Sequence, residues 1–188
     1  MTKRSATNEY ELAFAKTDKT DAILVVNGKK LHVNKALLSY HSEFFNTMFN
    51  SNFKEKFQDE IEIKDVNFEE FAVLLSLVQH NPILPTAQNV EKLLELADRF
   101  LMPNPKRHLE LFLLSTELAY FRKLELADKY DLDTLLDHTL RKITRKEDLA
   151  PSRIFSKFSD KAKAKMFDRQ IEMSNAMVPR FSSTPIKG

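Results

Sequence analysis

The sequence predicts an α+β fold, mostly helical, in which a small three-stranded sheet is flanked by five or more helices and followed by a helical hairpin extension. Three observations predict it. Asn27-Gly28 joins two short apolar runs, and Glu60–Lys64 alternates strictly between charged and apolar residues. Stripes of apolar residues at helical spacing occupy most of the remaining chain.

The first run, Asp21–Val26, is rich in β-branched residues and reads as a strand. Asn-Gly is the strongest short hairpin signal, because both central residues of a type I′ turn take positive φ. Lys29–Val33 therefore returns as the second strand. Upstream, Tyr10, Leu12 and Phe14 mark a short ordered element in an otherwise polar segment.

Beyond Asn34 the period changes. Ala36, Leu37 and Leu38 open a short helix, and Ser42 is placed to cap a second, whose face is Phe44, Phe45, Met48, Phe49 and Phe53. Glu60–Lys64 is the third strand, with Ile61 and Ile63 inward. Asn67, followed three residues later by Glu70, is close to a capping box and launches a helix with Phe68, Phe71, Leu74, Leu75 and Val78 on its buried side.

His80–Pro85 stops that helix, and Asn89 starts the next, with Leu93, Leu96, Ala97, Phe100 and Leu101 as its stripe. Pro103 and Pro105 break it, so that Lys106–Ser115 forms the following one. Leu94-Glu-Leu-Ala-Asp-Arg-Phe100 then recurs 30 residues later as Leu124-Glu-Leu-Ala-Asp-Lys-Tyr130, and His108 as His138. Two copies are too few for a solenoid and read as two similar helical hairpins. The second buries Leu132, Leu135, Leu136, Leu140 and Ile143. A last helix is expected from Ser159 to Met173, with Ala162, Met166, Phe167 and Ile171 as its stripe, ahead of a disordered end.

Composition excludes several chemistries. The chain has no cysteine, which removes thiolate catalysis, Cys-ligated zinc and disulfides, and suits a reducing compartment. It has two glycines, Gly28 and Gly188, so no phosphate-cradling glycine-rich loop can be built. No metal-ligand spacing links His32, His41, His80, His108 and His138. No nucleophile elbow is present, and the carboxylates lie on helix faces beside Lys and Arg. The reading is a non-enzyme with no catalytic residues, no metal and no cofactor.

Neither a signal peptide nor an 18-residue apolar run is present, so the expected location is cytoplasmic or nuclear, without a membrane partner. Residues 151–188 hold eight Lys/Arg against three Asp/Glu, a basic tail on a mildly acidic body. These cations are neither clustered nor interleaved with aromatic platforms, so a solvated tail is expected rather than a nucleic-acid contact.

Residues 21–49, Asp-Ala-Ile-Leu-Val-Val-Asn-Gly-Lys-Lys-Leu-His-Val-Asn-Lys-Ala-Leu-Leu-Ser-Tyr-His-Ser-Glu-Phe-Phe-Asn-Thr-Met-Phe, closely resemble the opening of BTB (POZ) domains, with the family's strand Asp, its His-x-x-Lys step and its Phe/Met-rich helix. Glu60–Asp65 and Leu94–Phe100 resemble the family's third strand and a later helix. Residues 116–148 are similar to the helical pair called a 3-box in MATH-BTB and Kelch-type proteins. The resemblance implies a BTB domain over residues 20–115, a 3-box-like extension over 116–148 and a basic tail over 149–188, behind an N-terminal segment 1–19 at a dimer interface. Where many members carry Tyr-Thr-Gly, this chain has Gln79-His-Asn-Pro82, which bears on the conformation of that loop.

The resemblance also implies a protein-interaction module that forms homodimers, with Leu37 and Tyr40, and then Tyr10 and Phe14, in the interface. Asp21 and Lys35 correspond to a charged pair in the groove of corepressor-binding members, for which a structural role is expected here. Phe53-Lys-Glu55 stands where related adaptors carry an apolar-x-Glu motif for cullin 3, with the aromatic as anchor and the carboxylate hydrogen-bonded beside it. Ordinary core packing of Phe53 is the competing reading. The implied function is an adaptor that brings an unknown target protein to a cullin 3 ubiquitin ligase. The alternatives are a BTB-mediated assembly scaffold or competitor without ligase activity, and a transcription- or chromatin-associated BTB protein. A MATH domain needs more residues than precede the first strand, so the target is expected to be read by the basic C-terminal segment or by a heterodimer partner.

Overall fold

The computed structural model describes residues 9–50, 60–144 and 155–176. The chain divides into two compact units, which separate between Phe112 and Leu113.

In the first unit, α1 (Glu9–Ala13) precedes β1 (Ala22–Val26) and β2 (Lys29–Val33). The two strands pair antiparallel through Asn27 (φ 49°) and Gly28 (φ 77°), the positive values that a type I′ turn demands. A third strand, β3 (Glu60–Glu62), pairs parallel with β1 on its other edge, so the order is β2-β1-β3. The alternating run extended the predicted strand to Lys64. Ile63 is buried and donates its N–H to the Val25 carbonyl at 2.9 Å, but Asp65 turns the chain at φ 57°.

A parallel pair needs a crossover, and α2 (Lys35–His41) and α3 (Glu43–Asn50) lie within it. Asn34 caps α2 by accepting the Leu37 N–H, and Ser42 accepts the Phe45 N–H at 3.1 Å in α3. Next comes α4 (Phe68–Ser76), capped by Asn67 through the Glu70 N–H at 3.0 Å, as the capping-box pattern predicts. Phe68 and the run Phe71–Ser76 are buried. Val78, past the helix end, is only partly so.

Asn89 starts α5 (Val90–Arg99) as expected, although its side chain does not cap the helix: it accepts the Thr86 N–H while the Thr86 hydroxyl accepts the Asn89 N–H. One helix start differs from expectation. Both Pro103 and Pro105 lie inside α6 (Pro103–Ser115) rather than ahead of it. A first turn tolerates proline, because its N–H groups have no intrahelical partner to lose.

The second unit contains α7 (Tyr120–Lys129), α8 (Asp133–Lys142) and α9 (Asp160–Ala176). The 30-residue sequence repeat is a geometric repeat. Phe100 and Tyr130 close their helices, Leu101 (φ 49°) and Asp131 (φ 51°) follow in the left-handed region, and Met102 and Leu132 each donate back to Ala97 and Ala127 at 2.8 Å. That is the 6→1 bond of a Schellman ending.

Ser159 caps α9 as predicted, its hydroxyl accepting the Ala162 N–H, but the stripe is corrected. Ala162, Met166 and Met173 are buried, whereas Phe167 (59% exposed) and Ile171 face outward. At 100° per residue, Phe167 and Ile171 lie opposite Ala162. The helix also runs past Met173 to Ala176, into the stretch expected to be disordered. Its inner flank is ionic. Lys161 reaches Asp131 and Asp133 at 2.7 and 2.8 Å, and Lys165 reaches Asp133 and Asp137 at 3.1 and 2.7 Å. Arg169 donates to the Arg141 and Ile143 carbonyls at 3.2 and 3.1 Å.

Two tests follow from this packing. Replacing Ser42 by Ala removes a cap and leaves the Phe100 carbonyl, which the buried hydroxyl now serves at 2.6 Å, without that donor. The expected loss is about 1–3 kcal/mol, read as a lower urea midpoint at unchanged slope. Hydrogen bonds from Lys161 and then Lys165 hold the Asp133 carboxyl below the usual range. Its stabilisation is full above about pH 4 and is lost as pH falls through the depressed value. The acid limb of a stability-versus-pH curve should therefore flatten in Asp133→Asn.

Candidate interaction surfaces

The residues implied in dimerisation fall into different environments. Tyr40, on the outer side of α2, is 83% exposed, its ring edge-on to His41 with centroids 5.0 Å apart. Leu37, one turn earlier, is half-buried and lines a cleft of about 350 Å³ with Leu38, Val78 and His80. Tyr10 lies edge-on to Phe68 at 6.3 Å, which seats α1 on α4. Burial first, then the carboxylates of Glu9 and Glu69, pushes its phenol above the usual range. Phe14 is 1% exposed, so its ring is core and offers little surface to a partner. Of the four, Tyr40 is exposed, Leu37 and Tyr10 are half-buried, and Phe14 alone is core; Leu37 lines the cleft.

Asp21 and Lys35 do meet, but not through opposite charges. The Asp21 carboxylate accepts the backbone N–H of Lys35 at 2.7 Å, at the first residue of α2. That position favours a negative charge, because the first N–H groups of a helix are unpaired. The Lys35 ammonium instead lies 5.9 Å from the centre of the Phe49 ring. The pair fastens the hairpin to the first crossover helix.

Phe53 and Glu55 lie outside the described residues. What is described is the helix leading into them and the surface around its start. Ser42 donates to the Phe100 carbonyl, and His41 Nδ1 is 2.8 Å from Asn104 Nδ2. These contacts bring the α2–α3 junction against the α5–α6 turn. Leu101 lies on that turn, 54% exposed, whereas the periodicity placed it on the buried stripe. The error has a physical cause: the chain leaves the helix at Phe100, and the left-handed residue after it points away from the core face.

A leucine at that position pays twice, in backbone strain and in exposed apolar area. The repeat carried the signal, since its second copy has Asp131 there, the polar residue that such a turn favours. Among the described residues, no group of three or more His, Asp or Glu side chains is placed to hold a metal. Among the described residues, no helix is long and apolar enough to cross a membrane.

The family model for the BTB/POZ domain matches residues 10–117. The chain belongs to the BTB/POZ family. Its BTB domain is a protein-interaction module, and its three-stranded sheet bordered by helices is the BTB fold. Among its relatives is the BTB and MATH domain-containing protein 38 of Caenorhabditis elegans, 36% identical over 173 residues, which cover 89% of this chain and 44% of the relative. The BTB and MATH domain-containing protein 36 of that organism is 40% identical over 69% of this chain and 41% of its own length. Human Kelch-like protein 6 is 36% identical over 43% of this chain and 13% of its own length. The solved BTB domain of human gigaxonin shares 21% identity, covers 60% of this chain and 96% of its own, and superposes with a TM-score of 0.44. The chain spans about half the length, or somewhat less, of the MATH-containing relatives it matches.

The strain in this BTB domain is open to direct measurement. Leu101→Gly relieves the left-handed backbone and exposes no new core. It should raise stability by about 0.5–1 kcal/mol, seen as a higher urea midpoint. A fall of similar size would mean that the Leu101 side chain packs on its own domain.

Proposed function

We propose that this BTB protein is a homodimeric adaptor that recruits a target protein to a cullin 3 ubiquitin ligase. In this reading Phe53 is the anchor and Glu55 its hydrogen-bonding neighbour, with the surface at the α2–α3 junction as part of the contact. The observation that carries the proposal is the strained, exposed Leu101, held beside the start of the helix that leads to Phe53. Outliers of this kind persist where the surrounding structure over-determines them and cluster at functional sites, and interfaces concentrate their energy in a few apolar anchors. Kinship with MATH-BTB and Kelch-like proteins supports the same class of activity. The protein is not an enzyme in this reading. It works in the cytoplasm or nucleus, binds no cofactor and needs no nucleic acid.

A second reading, assembly through the BTB domain without ligase activity, draws on a different feature. The apolar cleft beside Leu37 and the exposed Tyr40 form a surface suited to self-association, whether or not a cullin binds elsewhere.

Calorimetry with the N-terminal domain of cullin 3 separates the two. The expected result is micromolar or tighter binding, about −8 kcal/mol or better. Glu55→Ala should lose it while its folding stability stays within about 0.5 kcal/mol of the parent. A folded chain that is dimeric by sedimentation but binds no cullin would leave the assembly reading standing.

A further inference from the structure

The 30-residue repeat places Lys123 where the first copy has Leu93. Leu93 is fully buried, and Lys123 is only 5% exposed, so an ammonium has been set in a core position. Its nitrogen donates to the Thr116 carbonyl at 2.7 Å and to the Leu114 carbonyl at 3.4 Å. An ammonium has three protons, and among the described residues these acceptors take two.

The same side chain lines a cavity of about 480 Å³, which Lys142 also lines from the end of α8. Glu117 and Tyr120 share the lining, so one carboxylate faces two ammonium groups. Burial first, and then the charge of Lys142, pushes the Lys123 ammonium below its usual range, while Glu117 opposes the shift. The helix that starts at this wall, α7, has Ala119 at its N-cap, which supplies no side-chain acceptor. A leucine fills the position in the first copy without burying a charge, but here it would leave the Thr116 carbonyl without that donor. The lysine, facing a second lysine across open space, favours a negative guest.

We propose that this cavity is an oxyanion site, which takes the carboxylate or phosphate borne on a side chain of a partner protein. Lys123 supplies its remaining proton from the wall and Lys142 closes on the anion from the rim. The volume admits one side chain and its flanking backbone. The site lies wholly within the second unit and does not depend on the cullin reading.

The test is an NMR titration of the full chain with inorganic phosphate and with three short peptides of one sequence, bearing phosphoserine, glutamate or alanine at the central position. The phosphate or carboxylate probes should shift the amides of residues 114–123, and the alanine peptide should not. Stronger binding of the phosphoserine peptide than the glutamate one assigns a phosphorylated partner, and the reverse an acidic one. Lys142→Ala should weaken binding at least tenfold. Lys123→Leu, which installs the residue of the first copy, should keep the fold and also lose binding at least tenfold. Silence with every probe would overturn the proposal, as would binding that survives both substitutions or that falls equally in the control Lys163→Ala on α9.

Discussion

The first unit is organised around one residue, Phe100. Its ring stacks on Phe45 at 5.8 Å and 6°, meets Phe44 edge-on at 5.0 Å, and tilts against Phe71 at 5.0 Å. Its carbonyl is held by the Ser42 hydroxyl. One residue therefore ties α3, α4 and α5 together through its ring and fixes the α2–α3 junction through its backbone. Ring pairs of this geometry contribute about 0.5–1.5 kcal/mol each beyond the area they bury. The polar bond adds direction, because a buried hydroxyl with one good acceptor tolerates little displacement. With Phe100 so constrained, the chain leaves α5 at a set point and angle, and this is what puts Leu101 on the outside.

The second copy of the repeat shows which parts of this arrangement are local. Both copies keep the helix, the left-handed residue and the 2.8 Å return bond, so these belong to the Leu-Glu-Leu-Ala-Asp segment and its ending. The surroundings of the closing ring are not kept. Tyr130 takes the place of Phe100, is also buried, and has a hydroxyl with no hydrogen-bond partner among the described residues. Lys123 replaces Leu93 and Asp131 replaces Leu101. The duplicated frame is apolar where the first copy carries the aromatic cluster, and polar where the second one has its cavity. A shared backbone thus carries different side chains at positions 93/123, 100/130 and 101/131, and the conservative Arg99/Lys129 pair besides.

Much of the fold was legible because it rests on short-range rules. Asn27-Gly28 specifies its turn by the φ it can adopt, Asn67 and Ser42 cap by the reach of their side chains, and Ile61 and Ile63 face inward by strand period. The misreadings came where a local rule met a boundary. Pro103 and Pro105 read as breakers in a sequence that does not show where the helix starts, and a first turn accepts what an interior rejects. Phe167 and Ile171 fit an apolar stripe as well as Ala162 and Met166 do, and only the packing partner decides which face turns inward. For the surfaces, Tyr40 was legible on α2, but Phe14 was not recognisable as core. Its burial depends on the hairpin beside it, where its carbonyl accepts the His32 N–H at 3.1 Å.

The basic C-terminal charge takes on a different meaning once its partners are known. Counted along the sequence, residues 151–188 carry an excess of five positive charges, which would suit an acidic ligand. In space, Lys161 and Lys165 face Asp131, Asp133 and Asp137, and Arg169 is turned onto two backbone carbonyls and Glu172. Pairs this exposed contribute little to stability one by one. Spaced four residues apart along one flank, they act together on the register of α9 against α8, because a slip of one residue would rotate the cations about 100° away from the carboxylates. The apolar contacts of Ala162 and Met166 then supply the adhesion that the ion pairs only direct. Two of the tail's lysines, Lys161 and Lys165, are thus the ionic half of an internal helix contact, and the negative charge that answers them lies on α8 and the turn before it.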